Sequence, residues 1–98
     1  MNYLVFCVFD LKDAHREDYL YAYMDLAMIG LRKVVQSDGG PSFNLPGRAV
    51  MGLLDGRNVE DVRTSIGRKV QNVFKARGLS GDFFVVASSD WACTGDST

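Results

Sequence analysis

The 98-residue chain has a single histidine, two cysteines, two prolines and a single tryptophan, and its formal net charge is only −1. Each shortage excludes something. His15, Cys7 and Cys93 cannot make a Cys/His zinc set. Two cysteines are no disulfide framework. Cys7 stands in an apolar strand, where a thiol is usually a small core residue, and Cys93 in a polar tail. The expected compartment is therefore the reducing cytoplasm. No apolar run approaches the ~20 residues of a membrane span. The N-terminus has no basic region ahead of its apolar stretch, and Asp10 closes that stretch early. Neither a signal peptide nor a membrane partner is expected. Near-neutral charge gives no global case for nucleic-acid binding. Walker, GxGxxG and GxSxG loops are absent, as are internal repeats and low-complexity tracts.

What is present is ordinary globular composition, 47% hydrophobic and 23% charged. It suits one domain spanning 1–98, with a tail from about residue 90. Asn2-Tyr-Leu-Val-Phe-Cys-Val-Phe9 is a strand by its β-branched and aromatic content. It is almost uniformly apolar, so both its faces are expected to be covered. Asp13 is the expected N-cap of a helix from about Ala14 to Ile29, with Leu20, Met24, Ala27 and Met28 as its core stripe and Gly30 as its stop. Leu31 to Ser37 reads as a short edge strand. Asp38-Gly39-Gly40-Pro41-Ser42 is a turn cluster, and Asn44, Pro46 and Gly47 prolong the irregular stretch. Arg48 to Leu54 is a third strand with both faces apolar.

Asn58 then caps the clearest element. Val59, Val62, Ile66, Val70, Val73 and Phe74 recur at three- and four-residue spacing, with Glu60 and Asp61 in the first turn and Lys75 and Arg77 in the last. Gly78 ends this helix. Asp82 to Ser88 is the final strand, followed by a polar tail holding Trp91.

The order strand, helix, strand, strand, helix, strand predicts an α+β fold of the ferredoxin-like split βαβ kind (βαββαβ). Its four-stranded antiparallel sheet would carry both helices on one face. The helices cover only that face. The other, also apolar, would be a large bare patch on a monomer. The simplest cover is a second copy of the same sheet across a two-fold axis, so a homodimer is expected. The tail around Trp91 is the alternative cover.

Asp10 ends the central strand at the sheet rim. There it could serve a hard cation such as Mg²⁺, or simply start a turn. His15 follows in the first helical turn, as a general base beside Asp10 or as a plain surface residue. Residues 57–77 net +4 on a mildly acidic chain. Arg63, Arg68 and Lys69 therefore form either a solvated helix face or a face that meets phosphates. Ser42, Asn44 and Arg48 border the long connection, where they could meet a ligand. Tyr19, Tyr21 and Tyr23 cannot all face the core, which leaves Tyr21 exposed as a contact residue. RNA-recognition domains share the element order but stack bases on aromatics of the third strand, and Arg48-Ala-Val-Met-Gly52 has none.

Val8-Phe9-Asp10-Leu11 resembles the strand end of the small CRISPR-adaptation nucleases, a superfamily that includes the VapD ribonucleases and the GhoS antitoxins. Phe83-Phe-Val-Val-Ala-Ser-Ser-Asp-Trp-Ala92 followed by Gly95, Leu45-Pro46, and Asn58-Val-Glu-Asp-Val-Arg63 fit the same pattern. The resemblance implies a ferredoxin-like homodimer. By its analogy Asp10 would hold Mg²⁺, and Arg48, Arg63, Arg68 and Lys69 would lie along RNA. It implies metal-dependent endoribonuclease activity in a toxin–antitoxin or defence setting. The competing expectation is a non-catalytic dimeric interaction module, antitoxin-like or from a mobile element or phage, that binds another protein. A small-ligand sensor is a third.

Overall fold

Alternation along the first strand decides how the chain packs. The computed structural model describes residues 1–36 and 42–96. Its elements are β1 (Asn2–Leu11), α1 (Arg16–Met28), β2 (Val34–Gln36), β3 (Ser42–Asn44), β4 (Ala49–Asp55), α2 (Val59–Ala76) and β5 (Gly81–Ser88). β1 lies in the middle of a three-stranded antiparallel sheet of order β4-β1-β5. Tyr3, Val5, Cys7, Phe9 and Leu11 point to one face and are buried under both helices. From α2 they meet Val62, Ile66, Val70 and Phe74, the stripe that the spacing predicts. Phe9 binds the layers together, with its ring centroid 5.4 Å from Phe74, 5.6 Å from Tyr23 and 6.0 Å from Tyr19. Aromatic pairs at such separations contribute about 0.5–1.5 kcal/mol each beyond their buried area.

The α2 limits follow local chemistry. The Asn58 side chain accepts from the Asp61 amide at 2.8 Å, and Gly78 takes the left-handed φ of +67° that ends the helix. Gly30 does the same after α1 at φ +94°. The two helices are tied by Arg77, whose guanidinium donates to both Asp25 carboxylate oxygens at 2.6 and 3.1 Å. The hydrogen bond from Arg77 holds the Asp25 carboxyl below the usual carboxylate range.

Three expectations change. Asp13 is not a cap: it takes a left-handed turn conformation at φ +51°, which Asp tolerates, and the helix begins after His15. There the Asp18 carboxylate accepts from the His15 amide at 2.9 Å. The buried stripe of α1 is Ala22 and Leu26 with Tyr19 and Tyr23 alongside, whereas Leu20, Met24 and Met28 are exposed. Apolar residues surround most of this helix, so spacing alone does not choose the inner side.

The expected fourth strand also fails to run along the sheet. Among the described residues of this segment only Arg32 pairs with β4, in a single bridge to Met51 with both hydrogen bonds at 2.9 Å. From Val34 the segment pairs instead with β3, a strand not foreseen, in the register Val34↔Asn44, Val35↔Phe43 and Gln36↔Ser42. In that hairpin Val34 and Gln36 are exposed and Val35 is half-buried. Of the expected turn at 38–42, Ser42 instead opens β3, while residues 38–41 and the end of the expected strand at Ser37 lie outside the described residues.

The tail after β5 runs back over the width of the sheet. β5 forms one edge, yet Gly95 lies against the Phe43 ring of the hairpin beyond β4 at the other edge.

Two glycines test this packing. A Cβ on Gly52 would fall against the Gly30 carbonyl oxygen, which is backbone, whereas one on Gly67 of α2 meets nothing within 4 Å. Gly52→Ala should destabilise by about 1–3 kcal/mol. Gly67→Ala should stabilise by up to about 1 kcal/mol. Urea unfolding of the two variants checks both signs.

Candidate functional site

The outward side chains of the same strands form the open face of the sheet. Leu4, Phe6, Val8 and Asp10 of β1 stand between Ala49, Met51 and Leu53 of β4 and Asp82, Phe84, Val86 and Ser88 of β5. Phe84 is 64% exposed, Leu53 54%, Val86 46% and Val8 38%. The tail leaves these four side chains uncovered, whereas Leu4, Phe6 and Met51 between them are half-buried, and Trp91 is itself exposed.

The face ends at one rim in a charged group. Asp10 pairs in register with Asp82, so two carboxylates stand directly opposite each other on neighbouring strands. Cross-strand neighbours have Cβ atoms about 4.5–5.5 Å apart, and like charges so placed repel. Arg48 offsets this with its guanidinium 3.5 Å from the Asp10 carboxylate. Both side chains are more than half exposed, so this ion pair contributes at most about 1 kcal/mol. Asp10, Arg48, Asp82 and the apolar Phe6, Val8 and Phe84 border a shallow recess of about 470 Å³.

Arg48 is placed by its surroundings. The Phe9 amide donates to its carbonyl at 3.1 Å. Lys33 Nζ donates to the carbonyls of Leu45 at 2.8 Å and Gly47 at 2.6 Å, pinning the loop before β4. The guanidinium lies 4.1 Å over the Tyr19 ring. That ring is fixed in turn, because the Tyr19 hydroxyl accepts from the Leu11 amide at 2.8 Å and donates to the Leu11 carbonyl at 3.3 Å.

His15 does not share the Asp10 recess. With Ala14, Arg16, Tyr19, Tyr23 and Arg48 it lines a second hollow of about 500 Å³, and Arg48 forms a wall of both. Arg63, Arg68 and Lys69 are exposed on α2, on the far side of the sheet from the open face where Asp10 stands. Arg48 is thus the expected phosphate contact that the fold brings to Asp10. Ser42 and Asn44 are exposed in the β2–β3 hairpin. Tyr21 is exposed as expected, under the Arg77 guanidinium at 4.5 Å.

Asp82, Lys33 and Tyr19 were not foreseen as site residues. Asp82 could have been found by pairing the first and last strands antiparallel. The contacts of Lys33 and Tyr19 join segments distant in sequence and leave no local pattern.

Two carboxylates on one sheet rim are the oxygen donors that Mg²⁺ accepts, since it takes one or two and fills its shell with water or phosphate. Among the described residues no three of His, Cys, Asp or Glu gather into a larger donor set. No helix of the described chain is long and apolar enough to cross a membrane. Comparison with protein-family models, with curated proteins and with solved structures gives no match.

The two cysteines separate cleanly. Burial pushes the Cys7 thiol up to about 11, which makes it a core side chain and not a nucleophile, while Cys93 is exposed in the tail. Ellman's reagent at mildly alkaline pH should therefore titrate one thiol in the native protein and both in denaturant.

Proposed function

We propose that the protein is a homodimeric interaction module, of ferredoxin-like split βαβ descent, whose copies pair through the open sheet face. The exposed row Val8, Leu53, Phe84 and Val86 on strands whose other faces are already buried supports this most directly. Apolar residues in one contiguous strip are a standing cost in water, and a two-fold related copy offers the same strip in return. In the split βαβ pattern a fourth strand would join β4 at the place where Arg32 bridges Met51. The likeness to the GhoS antitoxins belongs to this reading, in which a further protein partner would dock on the dimer.

The opposed carboxylates favour a second reading, metal-assisted endoribonuclease action of the VapD kind. Asp10 and Asp82 would hold Mg²⁺, which when bound supplies an activated water and a Lewis acid. Arg48, already beside Asp10, would draw an RNA phosphate to the rim. His15 on the other side of Arg48 would carry a proton. A face-to-face dimer would set two such rims on one assembly.

Sedimentation equilibrium tests the first reading. The wild type should be a dimer at micromolar concentration. Phe84→Asp should weaken it at least about tenfold, since burying one such ring contributes about 1.5–3 kcal/mol. Circular dichroism should show the variant folded, because Phe84 is exposed within one chain. Met24→Lys on α1 should leave the dimer intact. A monomeric wild type contradicts the reading. For the second, RNA cleavage in Mg²⁺ should vanish in Asp10→Ala and in Asp82→Ala while both remain dimeric. Wild-type protein that cuts no RNA sinks it.

A further inference from the structure

We infer that the hollow between the start of α1 and the loop before β4 binds a phosphate monoester, in a site independent of dimer formation and of any metal. Its centre is Arg48. The guanidinium rests on the Tyr19 ring at 4.1 Å, and that ring stacks on Phe9 at 6.0 Å and is fixed through its hydroxyl to the Leu11 backbone. Lys33 holds the loop that carries it. An arginine so placed has little freedom left to lose when an oxyanion arrives, and its planar fork suits two oxygens at once.

The charge around the hollow selects the ligand. Arg16 faces it from the first position of α1, His15 lies beside it, and no carboxylate lines it. Of the acids nearest in sequence, Asp13 is exposed and, like the others, does not line the hollow. Asp18 accepts from the His15 amide at 2.9 Å, and Asp10 meets Arg48 in the other recess. Glu17 is exposed and does not line the hollow. Lys33 adds positive potential from behind, 4.9 Å from the Tyr23 ring centre. Two arginines about one hollow, one of them shared with Asp10 on its other side, favour a doubly charged group over a single carboxylate. A phosphate monoester carries that charge and has oxygens for both guanidinium groups. The volume of about 500 Å³ leaves room for the group that the phosphate esterifies.

NMR titration of ¹⁵N-labelled protein with inorganic phosphate, AMP and adenosine tests this. Paired RNA oligonucleotides with and without a 5′-phosphate distinguish a free nucleotide from a nucleic-acid end as the source of the group. Phosphate and AMP should shift the amides of His15 to Tyr19 and of Gly47 and Arg48, and adenosine should not. Arg16→Gln and Arg48→Gln should each weaken AMP binding about tenfold, the loss expected for one charge-assisted contact. Arg48→Lys should fail to restore it, because an ammonium lacks the fork. Arg16 is exposed, so its variant reports on binding even if replacing Arg48 disturbs the loop. The inference is overturned if phosphate and AMP shift no amide in this region, if the shifts fall on Arg63, Arg68 and Lys69 instead, or if Arg16→Gln binds AMP as the wild type does.

Discussion

A central strand must satisfy two faces at once, and β1 sets the terms for the rest of this molecule. It is hydrogen-bonded on both sides, so neither edge is free for another strand. Its inward residues, from Tyr3 to Leu11, are the floor on which α1 and α2 pack. Its outward residues cannot share that cover, and the described residues form no third helix to lay over them. Val8 therefore opens toward solvent together with Phe84 and Val86, beside a half-buried Phe6. The strand's last outward residue is Asp10, so the same alternation that builds the core also places a carboxylate at the rim, opposite Asp82. Core, open face and charged rim are three consequences of one run of side chains.

Much of the fold was legible in the residues because burial and pattern agreed. The α2 stripe from Val62 to Phe74 lies inward as its spacing implies, with Asn58 at its cap and Gly78 at its stop. β1, β4 and β5 form where their apolar runs lie, and both helices pack on one face of them as the element order implies. The failures share one cause. Where several choices bury similar area, local pattern cannot decide among them. α1 is apolar on most sides, and the stripe chosen from spacing, Leu20, Met24 and Met28, turned out to face water. Val34 to Gln36 could lie along β4 or pair locally, and hydrogen bonding to Ser42–Asn44 decides it.

The rim was legible only in part. A strand-end aspartate is visible in one dimension, whereas its neighbour Asp82 becomes a neighbour only through register. Arg48 could be named as a cation near a loop. Its role as the wall between an acidic and a basic recess depends on Tyr19 beneath it and Lys33 behind it. The basic stretch of α2 lies elsewhere. Its charges are real, but the amphipathic packing that buries Val62 to Phe74 turns them away from Asp10. Charge clustered in sequence is not charge gathered at a site.

The open face is the surface on which two copies are proposed to meet. Isotope-filtered NOE spectra of a dimer made from equal parts labelled and unlabelled protein read this directly. Intermolecular contacts should join the side chains of Phe6, Val8, Leu53, Phe84 and Val86 of one copy to the same set on the other. Intermolecular contacts confined to Leu20, Met24 and Met28 of α1, or an absence of any, would contradict it.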